Sequence, residues 1–166
     1  MNIQMMLDWL GETSLSLWLQ TSSWGFQAVE TVHVIAIALV FGTIATVDLR
    51  LVGVASKSSA ITAVMKDALP WTWGAFVMAA ISGVLMILSA PTTYYYNGPF
   101  RIKLILLLLA GINMLVFETI VVRDIQRWDR QPRTPIAARC CGGLSLIFWI
   151  SIVGLGRWIG FTKLPF

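Results

Sequence analysis

Four apolar stretches of about 20 residues leave this chain few ways to fold. At 1.5 Å of rise per residue, each is long enough to span the roughly 30 Å of hydrocarbon in a bilayer. They run over about 26–47, 69–88, 100–122 and 139–160. Lipid offers no partner to a bare peptide group, so such spans are helical. The expected fold is an all-α integral membrane protein, with four transmembrane helices in an antiparallel bundle over residues 23–166. Composition excludes the alternatives. Hydrophobic residues make up 57% of the chain and charged residues 12%, about half the usual share in a soluble domain. A soluble enzyme, a disordered tail and a nucleic-acid binder are all excluded. The net charge of +4 reports topology instead.

The first 22 residues read differently. Ile3, Met6, Leu7, Leu10, Leu17 and Trp18 recur at helical spacing, with Gln4, Asp8 and Glu12 between them. This predicts an amphipathic helix lying in the membrane interface. It carries no lysine or arginine, so the basic start of a signal peptide is missing and it reads as part of the mature protein. Trp24, Trp71, Trp73, Tyr94–Tyr96, Trp128 and Trp158 flank the spans as an aromatic belt. Residues 90–99, with Pro91, Asn97, Gly98 and Pro99, read as a turn-rich connector.

Orientation follows from the basic residues. Arg50, Lys57, Lys66, Arg123, Arg127, Arg130, Arg133 and Arg139 fall at one end of the spans. Only Arg101, Lys103, Arg157 and Lys163 fall at the other. Positive charge favours the cytoplasm, which places both termini on the non-cytoplasmic side of an inner (plasma) membrane. The vicinal Cys140 and Cys141 imply no disulfide framework, because neighbouring cysteines bridge only with strain. With one histidine, they do not make a structural zinc site.

Ionisable residues at membrane depth are costly and mark function. Glu30, Lys103 and Arg157 sit about three or four residues in from the same end of their spans, at a shared depth of roughly 5 Å. An intramembrane ion pair of Glu30 with Lys103 or Arg157 is one expectation; snorkelling of the two cations to the headgroups is the other. His33 lies one turn deeper, on the face of Glu30. Three roles are open to it: an interhelical hydrogen bond, an axial ligand to haem b, or contact with a quinone or a proton path. Ser82, Gly83, Gly154 and Gly156 lie at its depth and leave room for a macrocycle, or for close helix packing through Gly156 and Gly160. In the haem reading, Lys103 and Arg157 hold propionates or another anionic group. Glu118, near the opposite end of the third span, reads as a proton relay or as the partner of Arg50 or Arg123.

The stretch His33-Val-Ile-Ala-Ile-Ala followed by Asp48-Leu-Arg50-Leu resembles the first helix of HemJ-type protoporphyrinogen oxidases. Phe100-Arg-Ile-Lys103-Leu-Ile-Leu is similar to that family's lysine-bearing helix start. The chain also resembles small four-helix bacterial membrane proteins of the DUF6644 kind and, more distantly, CopD-like membrane domains. The HemJ-type resemblance implies haem b on His33 and a haem or substrate contact on Lys103. This sequence departs from that pattern at Val54-Ala55-Ser56 and at Asn113-Met114, where histidines are expected. Two functions follow: a redox membrane protein using haem or quinone through His33, or a non-catalytic anchor or accessory subunit that self-associates or joins other membrane subunits. No residues identify a catalytic centre.

Overall fold

The structure, a computed structural model, describes residues 2–162. Lys163, counted in the charge asymmetry, lies outside them. Helices α1 (Ile3–Gly11), α2 (Ser14–Thr21), α3 (Gly25–Val52), α4 (Ile61–Ser89), α5 (Pro91–Tyr96), α6 (Gly98–Val116), α7 (Ile125–Trp128) and α8 (Ile136–Thr162) follow in order. A π-helical turn over Phe117–Val121 and a 3₁₀ turn over Val122–Asp124 join α6 to α7. No strand occurs among the described residues. Four helices are long and apolar enough to cross a membrane: α3, α4, α8 and the continuous stretch Gly98–Trp128.

Three expectations shift. The first 20 residues form two short helices, not one. They break at Thr13, whose hydroxyl caps α2 by accepting from the Ser16 amide at 3.4 Å. The connector at 90–99 contains α5, started by Pro91 at a position where a missing amide costs nothing. The first span continues five residues beyond position 47, to Val52. Gly53 then stops it in the left-handed conformation (φ 82°), which glycine enters without Cβ strain.

The long helices do not close into a ring. Helix α3 packs against both α4 and α8, and α6 packs against α8. Helices α4 and α6 are thus the ends of a row. Near the loops, Phe117, Val121 and Trp128 beyond α6 pack in a cluster with Ile61, Ala68, Val47, Leu51, Ala138 and Cys141. Further along, Val40, Ala75, Trp149 and Ile152 form a smaller core.

The loop end is stapled by polar groups. Arg50, fully buried, donates from Nε to the Ser59 carbonyl at 2.9 Å. Its Nη2 donates to the carbonyls of Gln131 (3.2 Å) and Asp129 (3.4 Å). Arg50 is therefore not a loop charge but a bolt between the two connecting loops. Asp129 completes the joint. Its carboxylate accepts from the Thr62 amide at 2.8 Å and the Thr62 hydroxyl at 2.9 Å. This caps α4 from across the molecule, since its own N-cap, Ala60, has no side chain to do so. The termini end is tied by fewer bonds, among them Ser16 Oγ to the Leu88 carbonyl and Asn97 Nδ2 to Thr162 Oγ1.

Candidate functional site

Two polar layers lie inside the row of helices. The first is built on His33. Its Nδ1 is 3.0 Å from Ser82 Oγ on α4. Ser82 donates its single proton to the Met78 carbonyl at 2.7 Å. Ser82 therefore accepts from Nδ1–H, and the lone pair of His33 sits on Nε2. That tautomer suits a metal ligand. Side chains occupy two of the glycine notches near it, while Gly154 has nothing within 4 Å. A Cβ added to Gly83 would lie 3.1 Å from His33 Cε1, so the imidazole itself fills the gap beside that glycine. A Cβ on Gly156 would lie 3.3 Å from Lys103 Nζ. The room that these glycines were expected to leave is taken by His33 and Lys103. Gly160 has nothing beside it, so no close Gly156–Gly160 helix contact forms.

Lys103 is half-buried and close enough to His33 to act on it electrostatically. Among the described residues it makes no ion pair, and no hydrogen bond to its ammonium is formed. Glu30 is exposed, and the single ion pair among the described residues joins Arg127 and Asp124. The expected pairing of Glu30 with Lys103 or Arg157 is thus not formed within one chain. Glu30 turns away from the helix row, and Arg157, also exposed, lies over the Phe161 ring at 5.0 Å. The pairing of Glu118 with Arg50 or Arg123 is likewise not formed. Arg50 is committed to carbonyls, and Glu118 is exposed on the π-helical turn.

The second layer was not singled out from the sequence. Because α4 and α6 scarcely touch, a crevice of about 200 Å³ remains between them, with α3 and α8 as its floor. Its walls are apolar and aromatic, including Trp73, Phe76, Phe117 and Trp149. Asp48, Asn113, Glu118 and Ser145 also line it, and no lysine, arginine or histidine does. Asp48 is 5% exposed. It accepts a hydrogen bond from Ser145, but its Oδ2 is buried without a partner. Asn113 donates one amide proton to the Cys141 carbonyl at 3.0 Å, and its own side-chain carbonyl oxygen is an acceptor. The signal that could have found Asp48 is the apolar run Leu49, Leu51, Val52, which carries the helix past it.

No curated protein and no solved structure matches the chain. A family model described as a family of unknown function, DUF6644, matches residues 6–162. That match spans both polar layers and nearly the whole sequence, and the chain belongs to the DUF6644 family.

Proposed function

We propose that this is a multi-pass membrane protein that takes a small lipid-soluble molecule from the bilayer into the crevice between α4 and α6. The observation that carries the reading is the buried, half-partnered carboxylate of Asp48 in an otherwise apolar crevice. Leaving one polar atom unpaired in such surroundings costs on the order of 1–3 kcal/mol, which a ligand's polar end would offset. The pocket is smaller than the roughly 300–1,000 Å³ of drug-sized sites, so a single ring with a short chain suits it. Haem b on His33 forms no part of this reading, since His33 and Lys103 fill the space beside Gly83 and Gly156. The positive-inside asymmetry supports an orientation in a plasma membrane with both termini outside.

The test is calorimetric titration of 4-phenylbutanol into the full-length protein in lipid nanodiscs, with empty nanodiscs subtracted. Gly111 lines the crevice, and a Cβ there meets nothing within 4 Å. Gly111→Leu should fill the space and abolish saturable binding. Equal heats from both proteins would overturn the reading. Orientation is checked separately: a cysteine at Lys57, in a background lacking Cys140 and Cys141, should resist labelling from outside intact cells.

A second reading, an accessory membrane subunit, is favoured by α6. None of its 19 residues is buried within the chain. A complex of higher mass after mild extraction, lost on disrupting that face, would support it.

A further inference from the structure

The crevice is acidic as well as apolar. It holds two carboxylates, Asp48 and Glu118, and no basic side chain. The buried crevice atom left without a partner is an acceptor, Asp48 Oδ2, and the side-chain carbonyl of Asn113 is a second acceptor on the wall. A ligand that only accepts leaves Asp48 Oδ2 unpaired and sets its own oxygens against that carboxylate. Quinone carbonyls would meet oxygen lone pairs, and a carboxylate or phosphate head would be repelled. A hydrogen-bond-donating cation is satisfied at every point. An ammonium carries three donors and one positive charge. Its charge neutralises Asp48, and its donors reach both acceptors.

The walls agree with this polarity. Trp73, Phe76, Phe117 and Trp149 line the same crevice as the carboxylate, and aromatic faces attract a cation electrostatically. An apolar body attached to the ammonium would lie against Ile44, Met65 and Leu69. We infer that the crevice around Asp48 is a binding site for a small lipophilic amine, held by its ammonium on Asp48 and Asn113 and by its ring among the aromatics. This rests on the reading of the crevice as a ligand site and names the class it takes. Glu118, exposed on the π-helical turn at the rim, adds a second negative charge where a cation enters.

The experiment compares three probes with one apolar body: 4-phenylbutylamine, 4-phenylbutanol and 4-phenylbutyrate. Each is titrated into the full-length protein in nanodiscs of neutral lipid near pH 7. The amine is expected to bind at least about tenfold more tightly than the alcohol, and the carboxylate not to bind. Asp48→Asn keeps the shape and removes the charge, and should bring the amine down to the level of the alcohol. Should Asp48→Asn not fold, Asn113→Leu, which removes the second acceptor, should lower the amine's affinity by a larger factor than the alcohol's. Gly111→Leu should abolish binding of the amine and the alcohol alike. Equal binding of all three probes, with Asp48→Asn indistinguishable from wild type, would overturn the amine assignment while leaving an apolar ligand site standing. Absence of saturable binding by any probe would overturn both.

Discussion

The His33 layer and the Asp48 layer are both polar groups set among apolar helices, yet they are finished differently. His33 has a hydrogen-bonding partner on the neighbouring helix, and its ring occupies the notch that Gly83 provides. Asp48 has one partner for two oxygens and borders open space. Folding satisfies a polar group wherever a neighbour can reach it, because an unpaired buried group is costly. The closed layer is thus a clasp between α3 and α4. The open layer leaves a carboxylate oxygen without a partner beside the crevice. The more suggestive residue type, a lone membrane histidine, is here bonded to a neighbouring helix.

The same substitution in each layer breaks the comparison most sharply. Gly83→Leu would push a side chain onto His33, whose Cε1 sits where the Cβ must go. Overpacking of this sort costs about 1–3 kcal/mol, so thermal stability in detergent should fall clearly. Gly111→Leu enters open space and should leave stability unchanged while removing binding. A similar loss of melting temperature for both variants would erase the distinction between a filled notch and an empty crevice.

A smaller effect separates the two polar partners. Ser82→Ala removes the interhelical bond to His33 and should lower stability by about 1 kcal/mol. Asp48→Asn removes a buried charge that lacks a full set of partners, so it should be neutral or stabilising by up to roughly 1 kcal/mol. Denaturation of the two variants side by side decides the point. A larger loss from Asp48→Asn than from Ser82→Ala would make Asp48 a structural residue.

How much of this was legible depends on range. Span number, helical class and the approximate ends follow from local hydrophobicity, and the helices at 25–52 and 136–162 extend it by a few residues only. Lys66 and Asp67 hid the first turns of α4, because a span was sought as an uncharged stretch; the helix starts at Ile61 and runs through them. The shared depth of Glu30, Lys103 and Arg157 was legible, but depth does not fix rotation about a helix axis. Glu30 and Arg157 face outward and Lys103 inward. Asp48 was masked by position. With the span drawn to end at residue 47, its carboxylate looked like a loop charge. The crevice itself depends on α4 and α6 standing apart, a long-range fact with no periodic signature.

A third carboxylate, Asp129, sharpens the contrast from outside the spans. Unlike Asp48 it is fully used: it accepts from the Thr62 amide and hydroxyl at the start of α4. Those bonds favour the charged form, the Thr62 amide above all, and hold its pKa below the ordinary 3.8. A carboxyl whose folded pKa is depressed stabilises the fold above its unfolded pKa. That contribution is lost as pH falls through the folded value. The window therefore lies below about pH 3.8. Asp129 lies at the surface and is partly exposed, so screening keeps the effect small, and it is the weakest predicted here. Asp129→Asn cannot titrate and should be slightly less stable than wild type at pH 6. The gap in melting temperature should shrink as pH is lowered through 4 toward 3. A gap that stays constant across that range would mean that the cap on α4 owes nothing to the charge of Asp129.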